Sequence, residues 1–597
     1  MPDLRDTEKK EIIESVHAAL KDDDQALADF AAAFYAGGAA EDLVTYTPQE
    51  LTEFARLAWK DFQTHDLGRH RVSITNPEFK AQGKKADELT VIEVVNDNMP
   101  FLVDSVLDEI QDSKLEVHLV LHPTFIVERD TDGKLTSAIR QKRKAKRADR
   151  QESLIHIHVS RLDNEAARDA LNERLNLVLK DVRSAVTDFK PMQERLADTI
   201  DSYKTTNIEG SSDELWEAIH FLEWMANDNF IFLGMRDYKF DGGIEEGELS
   251  PYEGTGLGLL SDPDVRVLRR GSEFVQITPE IREFLMKPEP LIIAKANVKS
   301  RVHRRVHLEY IGAKLFDDDG EMVGELRIVG LFASTAYTEP TSTIPFLRRK
   351  AGSVMARAGY DPQSHSGRAL INVMEAFPRD ELFQIDRDTL YEFAIAILQL
   401  DERPRIRVLS RVDKFDRYVS ILCFVPRDRY TTEVRLHIGT YLANIYEGRL
   451  SAWYVTYLEG ALARVHFIVG RDKGETPTPA QEELESAVAD LVRTWPDSLR
   501  GALKDRYDPV KARHLSERYA LAFHGGYKEV YNAETALSDV VKVESMSKKR
   551  DTAITFFQVS DTQSERLSLK VYHLNSPIPL SARVPLLENM GFKVINE

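Results

Sequence analysis

The chain has 597 residues, 42% hydrophobic and 30% charged, and its 79 basic and 98 acidic side chains give a formal net charge of −19. That length is too great for one core, so several domains are expected, and the composition is that of a globular chain rather than a disordered one. The acidic balance argues against a global nucleic-acid or membrane-surface role.

Residues 1–65 read as an N-terminal helical segment, charged and without the apolar core of a signal peptide. No later stretch is apolar over a spanning length, so no membrane partner and a cytoplasmic location are expected. The next unit, 66–195, contains "LTVIEVV" (Leu89 to Val95), which is β-branched and almost continuously apolar, as an interior strand would be. Val103, Val106, Leu107 and Ile110 then recur at helical spacing, with Asp104 and Asp108 opposite. In the turn between them, Asn98 reads as the N-cap and Pro100 as a first-turn residue. "LEVHLVLHPTFIV" and "SLIHIHVSRL" alternate as half-buried strands, and "NEAARDALNERLNLVLKDVRSAV" is a long helix. The order strand, helix, strand, strand, helix is most of a ferredoxin-like βαββαβ unit, with helices on one face of a sheet.

A different block follows at 210–400. A helix, "DELWEAIHFLEWMAND", feeds the strand "NFIFLGMRDYKF", and the turn "DDDG" joins two further strands into a long hairpin. The ferredoxin-like pattern returns at 401–475, with Val434, Ile438, Leu442 and Ile445 on one side of its helix. Cys423, the only cysteine, lies in the apolar run of that unit's strand and reads as a core residue; it excludes an internal disulfide. Residues 476–550 are a helical linker. At 551–597 the pattern starts a third time, with Ser581 as N-cap and Gly591 as helix stop; with only its first half present, the unit is expected either to be cut short or to borrow strands from elsewhere. The fold class is therefore α+β, built of several ferredoxin-like units, one mixed α+β domain and helical connections.

Chemical motifs are sparse. His118, His122, His156 and His158 fall on the presumed non-core face of two strands; alternation on a half-exposed sheet accounts for them, and no metal is expected. The run "RQKRKAKRADR" (Arg140 to Arg150) reads as a solvated hairpin loop, with an RNA or acidic-partner patch as the sharper reading. "GTGLGLL" (Gly254 to Leu260) lacks the spacing, the leading strand and the lysine of a phosphate loop. Arg301, His303 and Arg305 alternate on what reads as one strand face. There is no G-x-S-x-G elbow, H-E-x-x-H or dinucleotide fingerprint in its strand–turn–helix setting.

"VNDNMPFLVDSV", "NFIFLGMRDY", "VHLEYIGAKLF", "STAYTEP", "DRYVSILCFVPRDRYTTEVR" and "HLNSPIPLSARVPLLENMGFKVINE" together resemble the large-subunit bacterial NAD-dependent glutamate dehydrogenases, over nearly the whole chain. The resemblance implies three ACT-like domains, at 66–195, 401–475 and from 551, and a PAS-like part at 210–400. It also implies a homo-oligomer, tetrameric at full length, that converts glutamate, NAD and water to 2-oxoglutarate, ammonium and NADH. The catalytic lysines and the NAD-binding fold of that family would lie beyond Glu597, in a dehydrogenase domain in cis. No catalytic or cofactor-binding residue is therefore expected here, and the segment is read as regulatory, with an amino acid as effector. The alternative is a free-standing ACT-type amino-acid-binding regulator or scaffold. Asn96, Asp97, Asn98 and Asp104 are the regulatory-contact candidates, either holding an amino acid or meeting a neighbouring ACT-like unit.

Overall fold

In a computed structural model the chain is described at every residue except 1–3, 23, 79–87, 141–148, 207–211, 242–247, 263–264, 266, 271–272, 276–282, 284–288, 415, 459, 472–473, 559–566 and 593–597. Most of the basic run after Arg140 thus lies outside the described residues. The chain forms two compact units: Met1–Arg403 with Arg411–Ser420 and Gly470–Thr476, and Pro404–Ser410 with Ile421–Val469 and Pro477–Glu597.

The first unit opens with helices α1 (Leu4–Lys21), α2 (Gln25–Tyr35), α3 (Ala40–Leu43) and α4 (Pro48–Phe62). The start of α4 is set by a capping box, Thr47 with Glu50, and by Pro48 at the first helical position. Strands β1 (His70–Thr75), β2 (Leu89–Asp97), β3 (Val117–Leu121), β4 (Thr124–Arg129), β5 (Leu135–Arg140) and β6 (Gln151–Ser160) form one antiparallel sheet. Its order is β1-β2-β6-β4-β5, with β3 also on β6. The stretch expected as one strand is two, β3 and β4, because Pro123 has no N–H to give to the ladder. Its carbonyl still accepts from Leu154.

Helices cover this sheet on both faces, not one. Ile92, Val94, Ile155 and Ile157 pack under α5 (Leu102–Asp112) and α6 (Glu165–Thr187). Val91, Val95, Leu119 and Leu154 pack against Phe30, Phe34, Phe54 and Phe62 of the N-terminal helices. That double cover is why β2 is buried along almost its whole length and reads as a continuous apolar run. The place beside β2 is held by β1, from upstream. After α6 the chain runs into α7 (Phe189–Thr205) and α8 (Ser212–Trp224) instead of adding a strand.

The next block is a sheet of β7 (Phe230–Asp241), β8 (Glu248–Pro251), β9 (Leu257–Gly258), β12 (Leu291–Lys299), β13 (His307–Phe316) and β14 (Met322–Phe332), with a short separate pair, β10 (Leu268–Arg270) and β11 (Glu273–Val275). The strand order is β12-β13-β14-β7-β8, and the hairpin across "DDDG" forms as expected. Helices α9 (Ser334–Thr338), α10 (Leu347–Ala358), α11 (His365–Ala376), α12 (Arg379–Gln384) and α13 (Arg387–Glu402) follow. One apolar cluster joins both sheets through α6: Leu175, Leu179 and Val182 belong to it with Ile92 on one side and Leu233, Tyr238 and Val329 on the other.

In the second sheet-bearing repeat, β15 (Arg407–Val412), β16 (Tyr418–Pro426), β17 (Arg449–Tyr457) and β18 (Leu462–Gly470) order as β15-β16-β18-β17, with α14 (Thr432–Ile445) between β16 and β17. Again the upstream strand sits beside the first strand of the motif. Cys423 is buried there, and burial pushes its thiol up to about 12, which fits a core residue. Helices α15 (Gln481–Leu491), α16 (Trp495–Arg506), α17 (Pro509–Tyr519), α18 (Gly525–Val530) and α19 (Ala533–Glu544) follow, and Leu499, Leu503, Leu515 and Val540 form a core among the last four. The third repeat consists of β19 (Thr552–Gln558) paired with β20 (Leu567–His573), then α20 (Leu580–Asn589). Pro579, not Ser581, caps α20, because the helix begins one residue before Ser581; Gly591 stands past its end with φ 86°.

Leu175 and Leu177 test the shared layer. Leu175 is fully buried and Leu177 is 45% exposed on the same helix. Leu175→Ala is expected to cost about 2–5 kcal/mol in urea denaturation, and Leu177→Ala less than about 0.5 kcal/mol.

Candidate functional site

The turn after β2 is held from inside the protein. Asn96 is buried, and its Oδ1 accepts from Arg183 Nη2 of α6. Asp97 Oδ2 accepts from Arg183 Nη1 at 2.8 Å and from the Gly68 N–H at 2.9 Å. Asn98 is not an N-cap: its backbone N–H donates to Gln151 O at 3.0 Å, and the helix starts only at Leu102. The N-cap is Phe101, in the left-handed region at φ 70°, with no side-chain cap bond; Pro100 precedes it. The free helix-start amides are therefore displaced from the amide and acid side chains expected to share a ligand with them. Asn96 Nδ2 and Asp97 Oδ1 are buried without a hydrogen-bond partner among the described residues.

The polar face of α5 receives the segment between β12 and β13. His303 Nδ1 lies 3.0 Å from Asp104 Oδ2, and the His303 N–H donates to Ser105 Oγ at 2.9 Å. Ser105 Oγ in turn donates to Phe101 O. The Arg305 N–H donates to Asp108 Oδ2 at 2.9 Å, and its guanidinium reaches Glu109, which also accepts from Arg174 Nε at 2.8 Å. Glu109, on the polar side of the wheel, is thus buried between two arginines. His303 is itself left-handed at φ 68°, and its ring lies 5.1 Å from that of Phe101. Asp104 does meet a basic group from another block, but that block is 210–400 and not an ACT-like unit. Arg301, His303 and Arg305 do not share a strand face, since β13 begins only at His307.

The histidine cluster differs from expectation in its burial. His156 and His158 are fully buried, because the N-terminal helices cover the face that was expected to be open. His156 Nδ1 is 2.7 Å from Glu93 Oε1, the two Nε2 atoms are 2.8 Å apart, and His158 Nδ1 is 2.9 Å from Tyr46 Oη. Burial pushes the His156 imidazole down to about 3 and raises the Glu93 carboxyl well above its usual range, a rise that Asp61 reinforces. His118 and His122 instead reach Ser160 and Ser153, and no metal-binding group occurs among the described residues. The glycine-rich stretch is a strap over β7: Gly258 N donates to Asp188 Oδ2, and Leu260 O accepts from the buried Arg236. Arg183 was not foreseen, since 86 positions separate it from Asp97 and nothing local in α6 marks it.

Repeated α+β units, a central sheet block and helical connections make a multi-domain chain, and the polar seam along α5 joins the first of those units to the sheet block. Residues 30–175 match the glutamate dehydrogenase ACT1 domain, 407–496 its ACT2 domain and 551–597 its ACT3 domain. Residues 344–403 and 502–546 match its helical motifs 1 and 2. The NAD-specific glutamate dehydrogenase of Halomonas elongata is 32% identical over 593 residues, covering 98% of this chain and 36% of the relative. That of Pseudomonas aeruginosa is 30% identical over 570 residues, covering 95% and 35%. That of Mycobacterium tuberculosis is 26% identical over 549 residues, covering 89% and 32%. The chain belongs to the family of large NAD-specific glutamate dehydrogenases, and it spans about a third of the length of these curated relatives.

Removing Arg183 leaves the buried Asn96 Oδ1 without its donor and the partly buried Asp97 without its cation, so Arg183→Ala is expected to cost about 1–3 kcal/mol. Asp97→Ala should cost less in that background than alone, measured as a double-mutant cycle in urea. The buried histidine gives a pH dependence. Between pH 3 and 6.5 the unfolded chain protonates His156 and the folded chain does not, so stability falls as pH drops through that window, by up to about 1.4 kcal/mol per pH unit. Glu93 works in the opposite sense: above about 4.5 the unfolded carboxyl loses a proton that the folded one keeps, and its contribution falls as pH rises. His156→Gln should flatten the acid limb of the urea midpoint against pH; equal limbs in both proteins refute a neutral buried imidazole.

Proposed function

We propose that this chain is the N-terminal regulatory and assembly region of a cytoplasmic, homo-oligomeric NAD-dependent glutamate dehydrogenase. The whole enzyme takes L-glutamate, NAD and water to 2-oxoglutarate, ammonium and NADH, and this segment is non-catalytic. One observation carries the reading: relatives named NAD-specific glutamate dehydrogenase align along 89–98% of the chain, and the segments matched within it are ACT domains and helical motifs. The sheet of β7 to β14 is read as the PAS-like part. Asn96, Asp97, Asn98 and Asp104 are read as a regulatory contact: Arg183 ties the end of β2 to α6, and His303 ties α5 to the PAS-like block. Amino-acid binding is transmitted along that contact. NAD belongs to the full-length enzyme and not to this segment.

Two measurements test this. The purified 597-residue chain, given glutamate and NAD, is expected to form no NADH; turnover would overturn the non-catalytic reading. In the full-length enzyme, Asp97→Ala with Asn98→Ala should shift the half-effect concentration of an amino-acid effector about fivefold or more. A lower melting temperature with an unchanged effector response would reduce the turn to a structural element.

A further inference from the structure

A cavity of about 780 Å³ opens in the first unit, away from the α5 seam, beside β12, the start of α10 and the turn from α12 into α13. That volume lies within the range of small-molecule sites. Leu291, Phe346 and Phe383 give it an apolar wall, and four cations, Arg349 and Arg387 among them, and five carboxylates, Glu214 among them, also line it. Arg349 Nη1 donates only weakly, to Asp213 O at 3.3 Å. The side chains of Arg387 and Glu214 make no ion pair among the described residues.

Two features independent of the volume mark the same place. Phe346 is held at φ 64°, ψ −44°, outside the ordinary left-handed well. A bulky residue in so sparsely populated a region persists only where its surroundings impose it, and such positions concentrate at ligand clamps. The imposition is visible: the Phe346 N–H donates to Glu217 Oε1 at 2.7 Å, and Arg348 Nε holds the same oxygen at 3.0 Å. Lys350, also in the lining, donates from Nζ to the carbonyls of Leu382, Phe383 and Ile385 at 2.7–2.8 Å. Burial, reinforced by Lys414 and Arg411, pushes its pKa down to about 7. The ammonium is committed to those three carbonyls. Here it also fixes the backbone of Phe383, so both aromatic walls are rigid before any ligand arrives.

We infer that this cavity binds a free α-amino acid with an apolar side chain, its carboxylate between Arg349 and Arg387, its ammonium on Glu214 and its side chain on Leu291, Phe346 and Phe383. Two guanidinium groups suit one carboxylate, the Glu214 carboxylate suits an ammonium, and the aromatic wall selects against glycine. The inference rests on the regulatory reading only in taking amino acids as the effector class.

Calorimetric titration of the whole chain with L-leucine, glycine and 4-methyl-2-oxopentanoate tests it. Leucine is expected to bind saturably, with glycine and the oxo acid each about tenfold weaker or more. Arg349→Gln with Arg387→Gln should weaken leucine about tenfold or more, while the melting temperature of the free chain stays near that of the parent. Glu214→Gln, on the first turn of α8, should erase the preference for leucine over the oxo acid and serves if the double variant does not fold. Absence of saturable leucine binding, or oxo-acid binding equal to leucine in the parent, overturns the inference. Leucine binding unchanged in the variants removes this site and leaves the regulatory reading standing. Leucine binding here with a full-length enzyme indifferent to every amino acid does the reverse.

Discussion

The first unit depends on α6 being apolar on two sides. A single 23-residue helix lies between two sheets, and its buried Leu175, Leu179 and Val182 belong to one continuous core with residues of both. Each fully buried leucine is worth about 1.5–3 kcal/mol, and neither sheet could replace that surface with solvent-facing side chains. The consequence is geometric. What happens at β2 and what happens at β7 are referred to the same rigid rod, because packed interiors do not deform gradually.

Polar groups placed inside this core decide register. Glu152 is buried against Arg129 and Arg150, with His65 beside it. Burial alone would raise its carboxyl; the hydrogen bonds from His65 and Arg129 overcome that and hold it at about 2. Arg129 also collects the carbonyls of Phe62, Gln63 and Gly133, so the end of α4 is tied to the sheet at one angle. Under the other block, Lys295 joins Glu309 to Asp380, and burial keeps Glu309 up at about 8. Such pairs add little net stability, since desolvation consumes most of their attraction. Their effect here is to fix which residue meets which.

Elements whose evidence is local were legible. The run Leu89 to Val95, the hairpin across "DDDG", the long helix α6 and the strand–helix repeats all follow from period and turn chemistry. Three things were not legible, for one reason: they depend on partners distant in sequence. The histidine face looked solvent-exposed until α1 to α4 covered it. Asn98 looked like a cap, but its N–H pairs with Gln151, and Phe101 takes the cap position in a conformation no propensity favours. Arg301, His303 and Arg305 looked like alternating strand residues, while their partners Asp181, Asp104 and Glu109 lie more than a hundred positions upstream. Of the candidate site, the residues Asn96, Asp97 and Asp104 were recognisable as a polar cluster at a strand end; their basic partners were not.

The left-handed Phe101 shows how turn and seam are linked. A bulky residue at φ 70° carries strain of about 1–3 kcal/mol, and three contacts hold it there. Ser105 Oγ donates to its carbonyl, the His303 N–H donates to that same Ser105 oxygen, and the His303 ring lies against its own. Two of the three come from the 210–400 block. Withdrawing His303 would leave the strain with one support and leave Ser105 with an unfilled acceptor in a buried position. Asn96 and Asp97, at the end of β2, are held in turn by Arg183 of α6. The exposed Asp104 and His303 pair contributes little to this by its charge. The strained backbone beneath it, more than the ion pair, is what the seam holds in place.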